Sequence, residues 1–200
     1  MAQATVNVSE TNGTIAGAVT TDGVATMNFG SADTPDLTPS AHKIVRGTYS
    51  YTKWWRLHVA AMNDATGISN VQLWKASGVY KTQELIGATL AGAAGLGLAF
   101  WIIPAYGKRA PVSGSGADVS PMPNNSSGTQ ICGGNTWGNG NMTVPTADPG
   151  AENVAIGGAG GGSLAAPGYS NYVAFATSTT TSTEIGAVNQ KVFTWQYDEI

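Results

Sequence analysis

The chain has few charged residues and a single cysteine. Asp, Glu, Lys and Arg make up 10% of its 200 residues, against about 25% in a typical soluble domain. Because Cys132 is alone, it has no partner for a disulfide within the chain. The nine basic residues are scattered, in a chain of net charge −3, and do not form the basic cluster that binds nucleic acid. We therefore expect no internal disulfide and no nucleic-acid partner.

Signals for export or for a membrane are also weak. Residues 1–5 contain no basic segment followed by an apolar one, so we expect no signal peptide and synthesis in a cytoplasm. Residues 85–105 carry no charge, and their length matches the ~20 residues that span a bilayer. Much of this segment is Gly and Ala, and its only dense apolar run is 98–103. It predicts a buried strand after a small-residue loop, and no membrane partner.

Long amphipathic helical patterns are absent, whereas strand patterns recur. In residues 54–61 an apolar face of Trp55, Leu57 and Val59 alternates with a face predicted to be wet. A similar run at 68–75 follows a turn, which predicts a hairpin or a near neighbour. Further alternating or apolar runs lie at residues 4–9, 24–29, 98–103, 171–177 and 191–197.

These runs predict an all-β fold of about eight to ten short strands, for which a two-sheet β-sandwich, jelly-roll-like, is the natural packing. Its loops are long and rich in Gly, Pro and Ser. We expect residues 1–200 to form one domain. Residues 1–20 are open to interpretation as an extended N-terminal arm, and residues 107–150 as a long loop excursion.

No motif of catalysis or ligand binding emerges from the titratable residues. His42 and His58 lack the close ligands of a zinc site, and nothing pairs either with Cys132 as a base. The run Gly157–Gly162 lacks the Lys of a phosphate-binding loop. Four acidic residues are candidates in principle for glycosidase carboxylates, but most lie in loops or beside turns, which favours simple solvation: Glu84, Asp148, Glu152 and Asp198. We predict no catalytic residue, no metal and no cofactor.

Tryptophan is the remaining candidate for ligand recognition. Trp54, Trp74 and Trp137 would form a sugar-stacking platform if their flat apolar faces were exposed together. Burial in the core or at a subunit interface is the commoner role of Trp in a sandwich.

Several segments, taken in order along the chain, carry a family resemblance. They are Asn28–Pro39, Tyr51–Val59, Ile68–Lys75, Pro145–Gly150, Ala166–Ser170 and Trp195–Glu199. In pattern and order they resemble a loosely defined group of tailed-phage (bacteriophage) virion proteins encoded among structural genes. The resemblance implies a particle component with a β-sandwich body and no catalytic motif. Residues 85–106 are more apolar than the sequence pattern of that group would predict. This difference indicates an intermolecular contact that is particular to this chain.

Within such a particle we expect a capsid decoration, or cement, subunit on the capsid surface. Its partners would be the major capsid protein and copies of itself, with a homotrimer as the expected oligomer. Segments 1–20 and 107–150 would extend along the shell and add strands to its edges. Five residues are candidates for contact with the shell or with other copies, although burial within the domain explains each equally well: Leu98, Phe100, Trp101, Ile102 and Ile103.

Other functions remain open at this point. One is a structural role in the tail, the baseplate or a head fibre. Another is a carbohydrate-binding module of an adhesin, which would need exposed aromatic rings in a groove. An enzyme would need converging carboxylates in a pocket.

Overall fold

The computed structural model describes residues 2–13, 15–26, 28–45, 50–51, 53–78, 84–86, 99–103, 142–143, 147–152, 154, 156, 162–175, 177–179 and 190–200. Across these ranges the chain is rich in strands, and its only helical element is a 3₁₀ turn at Ile15–Gly17. The prediction of an all-β fold is therefore confirmed. Most of the predicted excursion at 107–150 lies outside the described residues.

The strands are β1 Thr5–Asn12, β2 Val19–Asp22, β3 Lys53–Ala61, β4 Ile68–Ser77, β5 Glu84–Ile86, β6 Ala99–Ile103, β7 Met142–Thr143, β8 Gly168–Tyr169, β9 Tyr172–Phe175, β10 Thr177–Thr179 and β11 Val192–Glu199. Every pairing between them is antiparallel. A seven-stranded sheet has the order β2-β1-β3-β9-β6-β7, and β8 also pairs with β3. Two further pairs are β5–β10 and β4–β11.

The segment 1–20 contributes two strands to the large sheet. In β1, Val6 lies opposite Val59 and Val8 lies opposite Leu57, both of β3. The other edge of β1 pairs with β2. Residues 5–12 are therefore an interior strand of the sheet, where ladder hydrogen bonds hold them on both sides.

One hydrophobic core collects the apolar faces of several strands. The buried cluster consists of Val24, Trp55, Leu57, Val59, Ile68, Val71, Leu73, Val154, Ile156 and Val173. These residues come from β3 and β9 of the large sheet, from β4, and from connecting segments. Phe193, Trp195 and Tyr197 share a face of β11, as their alternation predicts, and pack against the same cluster. Burial of each aliphatic side chain contributes about 1.5–3 kcal/mol.

The predicted hairpin between residues 54–61 and 68–75 is wrong. β3 pairs with β1, β8 and β9, whereas β4 pairs with β11. Both strands nevertheless bury their apolar faces in the same core. A hairpin would pair the two strands directly, whereas each of them pairs with strands from elsewhere in the chain.

The connection between β3 and β4 is held by both ends of the chain. The backbone N–H of Asp64 donates to the carbonyl of Ala2 at 3.2 Å. The carbonyl of Ile200 accepts from the N–H groups of Thr66 at 2.6 Å and Gly67 at 3.2 Å. The Thr66 hydroxyl donates to the same oxygen at 2.8 Å. These contacts fix the point at which the chain leaves the large sheet.

Two other predicted segments have a clear outcome. Residues 24–29, predicted as a strand, lie outside the strands wherever they are described. After the turn at Gly23, whose φ is 74°, Val24 donates one hydrogen bond to the Val8 carbonyl at 3.0 Å and enters the core.

In the apolar segment 85–105, the described residues belong to β5 and β6. Among described residues, no helix has the length and apolarity needed to cross a membrane.

Candidate functional site

A buried ion pair occupies one end of the core face of the large sheet. Alternation along β1 places Glu10 on the same face as Val6 and Val8, opposite Trp55 of β3. The Lys53 ammonium lies 2.8 Å from Glu10 Oε1, with 1% and 0% of the two side chains exposed. Trp55 Nε1 donates to Glu10 Oε2 at 2.9 Å. Both carboxylate oxygens are therefore satisfied, as a buried charge requires.

The same network anchors the loop that follows residue 28. Lys53 Nζ also donates to the carbonyl of Thr34 at 2.8 Å. Asn12 Nδ2 donates to Glu10 Oε1 at 2.9 Å and to Asp33 Oδ1 at 3.1 Å. The backbone N–H of Gly13 donates to Asp33 Oδ2 at 3.0 Å. The loop is thus fixed to both β1 and β3 by charge-assisted hydrogen bonds, which are the stronger kind.

On the opposite face of β3 lies a second group, which we call the outer cluster: Arg56, His58, Tyr169 and Tyr172. The Arg56 guanidinium carbon lies 3.7 Å from the centroid of the Tyr169 ring and 4.3 Å from that of Tyr172. The His58 ring stacks on Tyr169 with centroids 4.3 Å apart and an interplanar angle of 14°. These contacts hold the cationic side chain by cation–π attraction between two rings.

Hydroxyl groups and one carboxylate border the outer cluster. Asp22 Oδ2 lies 3.1 Å from His58 Nδ1, and Asp22 Oδ1 accepts from Ser9 Oγ at 2.5 Å. Thr11 Oγ1 lies 2.8 Å from Thr20 Oγ1 and 3.1 Å from the Tyr172 hydroxyl. The outer face of the sheet therefore combines cations, aromatic rings and hydrogen-bonding oxygens in one place.

The structure excludes the alternative of a sugar-stacking platform for Trp54, which is buried within the domain. Its exposed fraction is 0%, and it meets Tyr172 edge to face with ring centroids 5.9 Å apart. The outer face of β3, predicted to be wet, is thus buried at this end. Trp74 is partly buried, and Trp137 lies outside the described residues. Tyr169 and Tyr172 are site residues that no sequence motif singles out, although an alternating run at 171–177 marks the strand that holds Tyr172.

The predicted contact residues fall on β6 or just before it. Leu98 lies outside the described residues, and the structure describes the backbone course of residues 99–103. Register places Ile102 opposite Val173 and Trp101 opposite Ala174, both of β9. Contact of Leu98, Phe100, Trp101, Ile102 and Ile103 with a shell or with other copies remains a prediction.

The four acidic residues considered for glycosidase chemistry occupy separate settings. Asp148 accepts a hydrogen bond at 2.7 Å from the N–H of Gly150, which closes its own turn. Asp198 of β11 accepts at 2.9 Å from Asn70 Nδ2 of β4. Glu84 belongs to β5, and Glu152 lies in a connecting segment. Cys132 is outside the described residues.

In the described part of the chain, no three His, Cys, Asp or Glu side chains form a group that could hold a metal ion. In comparisons with protein-family models, curated proteins and solved structures, nothing matches this chain.

Proposed function

We propose that the chain is a structural protein of a tailed-phage particle, and that its role is that of a capsid decoration subunit. The observation that carries this proposal is the ordered set of segments that resemble phage virion proteins. Two of those segments, 28–39 and 51–59, meet at the buried pair of Lys53 and Glu10. The residues of these segments that form or contact the buried ion pair stabilise the fold. Such a structural role is consistent with a protein that functions by adhesion.

We further propose that the body is a two-sheet sandwich, jelly-roll-like, formed by residues 1–200. The support is the shared core, to which the large sheet and the β4–β11 pair both contribute apolar side chains. Non-local strand pairing of this kind is associated with slow folding kinetics. Slow unfolding would suit a particle component that must persist.

Adhesion to the major capsid protein is the proposed mechanism. In it, apolar and small polar surfaces of a homotrimer bridge neighbouring shell subunits and add interface area that opposes internal pressure. The apolar strand β6 and the segment 107–150 are the proposed contact regions. The proposed location is the outer surface of the capsid.

Copy number per particle tests the proposal most directly. A decoration subunit is expected in hundreds of copies, whereas six to a dozen copies would assign the chain to the tail, the baseplate or a head fibre. Quantitative mass spectrometry of purified particles against the major capsid protein measures this number.

Binding to isolated shells tests the mechanism. Purified protein is expected to bind expanded capsids and not unexpanded ones, because expansion rearranges the shell surface. Equal binding to both forms, or to neither, would contradict capsid decoration.

A variant of β6 separates interface from core. Trp101→Ser is expected to weaken capsid binding and to leave the unfolding midpoint of the free protein unchanged. Val45→Ser is the matched control, since Val45 is exposed and is not part of β6. If Trp101→Ser instead destabilises the free protein, Trp101 belongs to the core of the domain and not to the interface.

A further inference from the structure

We propose that the outer cluster is a binding site for a carboxylate-bearing sugar unit, with Arg56 as the residue that binds the carboxylate. The proposal does not depend on capsid attachment. It concerns the face of the large sheet opposite the core, at residues outside the set Trp54, Trp74 and Trp137.

Arg56 has unused hydrogen-bonding capacity. A guanidinium carries several N–H donors in a planar fork, yet the hydrogen bond recorded for Arg56 is a long one, 3.4 Å from Nη2 to Thr20 Oγ1. Its Nε is buried and has no hydrogen-bond partner. Among the described residues, no carboxylate forms an ion pair with it. An incoming oxyanion would supply acceptors for the terminal Nη1 and Nη2 groups of this guanidinium.

The geometry favours a carboxylate as that oxyanion. Tyr169 and Tyr172 hold the guanidinium in place at 3.7 and 4.3 Å, so little side-chain freedom remains to be lost on binding. An ordered guanidinium binds carboxylates through paired, parallel hydrogen bonds. His58, two residues along the same face, would add a second donor or a positive charge.

The surroundings favour a sugar as the bearer of the carboxylate. Asp22, whose side chain is 45% exposed, and Thr20 offer oxygens that accept hydrogen bonds from sugar hydroxyls. Tyr169 is 36% exposed and lies beside them. A protein partner fits less well, because the other exposed large apolar side chains of the described residues lie outside the outer cluster: Val19, Val45, Val192 and Ile200.

The test uses the full chain and two matched probes, sodium glucuronate and glucose. Two-dimensional NMR of isotope-labelled protein would follow the Arg56 Nε–H and the backbone of 168–172 during titration. Glucuronate is expected to cause saturable shifts at these signals, with affinity roughly tenfold or more above that of glucose, because a charge-assisted bond is added. The absence of saturable shifts with glucuronate would overturn the proposal.

Variants identify the anchor. Arg56→Met is expected to lower the affinity for glucuronate to that for glucose, and Lys43→Met, which removes an exposed cation outside the cluster, to leave it unchanged. Arg56→Lys keeps the positive charge but loses the paired N–H donors of the guanidinium, so the affinity for glucuronate is expected to fall several-fold. A dispersed NMR spectrum would show that this variant is still folded. This variant tests the anchor even if Arg56→Met unfolds. Unaltered binding by Arg56→Lys would overturn the role of the fork.

Simple anions distinguish a sugar site from a general anion site. Acetate and phosphate, at the same ionic strength as glucuronate, are expected to compete weakly because they lack the hydroxyl contacts. If either displaces glucuronate as effectively as glucuronate displaces itself, the specificity for a sugar unit is overturned.

Discussion

Glu10 lies on the core face of β1, in the row that Val6 and Val8 begin. A carboxylate at such a position is tolerated only when its charge and its lone pairs are satisfied. Lys53 supplies the charge and one hydrogen bond, and Trp55 supplies another. The three side chains form a unit whose members depend on one another.

We predict that Lys53→Met lowers the free energy of unfolding by about 3–5 kcal/mol, because it leaves a buried carboxylate without its counter-charge. The double variant Glu10→Gln/Lys53→Met is expected to be more stable than Lys53→Met alone, since the uncompensated charge is then gone. Urea unfolding of the variants measures both effects. A loss no larger than that of the exposed control Lys43→Met would show that the ion pair is unimportant for stability.

A second residue-scale prediction concerns Tyr197. Burial, with a smaller contribution from the nearby Glu199 carboxylate, raises the pKa of Tyr197 above its ordinary value of 10.0. As pH rises past about 10, the unfolded chain loses this proton before the folded chain does, so stability falls with rising pH. Below that range the contribution is fully present.

Tyr197→Phe is therefore expected to lose less stability than the parent chain between pH 9 and the alkaline limit of folding. Paired urea-unfolding series at several pH values give the difference between the two chains. Identical slopes of stability against pH would contradict this assignment.

At the scale of elements, two segments of the loop after residue 28 approach each other closely at Gly30. A Cβ placed on Gly30 would lie 2.7 Å from the His42 carbonyl oxygen and 2.8 Å from Leu37 Cδ1. Tyr51 donates to the Gly30 carbonyl at 3.0 Å, which leaves the backbone no room to shift. Close approach of backbone segments, and not an unusual φ, explains this glycine.

We predict that Gly30→Ala destabilises the fold by about 1–3 kcal/mol through overpacking. Gly67→Ala is the matched control, since its Cβ would meet no atom closer than 3.4 Å, and we expect a change below about 1 kcal/mol. Thermal unfolding of the two variants compares them. Equal effects would show that the contact with the His42 carbonyl is easily relieved.

At the scale of the whole molecule, the large sheet and the β4–β11 pair depend on a common core. Leu57 of β3 and Leu73 of β4 both lie in it, with 2% and 0% exposed. We therefore expect the two to unfold together.

The test is a double-mutant cycle with Leu57→Ala and Leu73→Ala. Each single variant is expected to lower the free energy of unfolding by about 2–5 kcal/mol. The double variant is expected to show an interaction energy of about 0.5–3 kcal/mol, because both substitutions remove side chains from the same core. Leu57→Ala with Leu37→Ala is the control pair, since Leu37 is buried outside the shared cluster. Additive effects for Leu57 and Leu73 would indicate two independent cores.

Local alternation by itself determined the all-β class, most strand positions and the core faces of β3, β4 and β11, because a side-chain period of two reports burial on one face. It did not determine which strands pair. The supposed hairpin of β3 and β4 failed because the alternation along a strand does not specify the strand with which it pairs. Only the tertiary structure brought Glu10 to Lys53, and Arg56 to Tyr169 and Tyr172. Those contacts join residues far apart in sequence, and their energies arise from packing that no local pattern encodes.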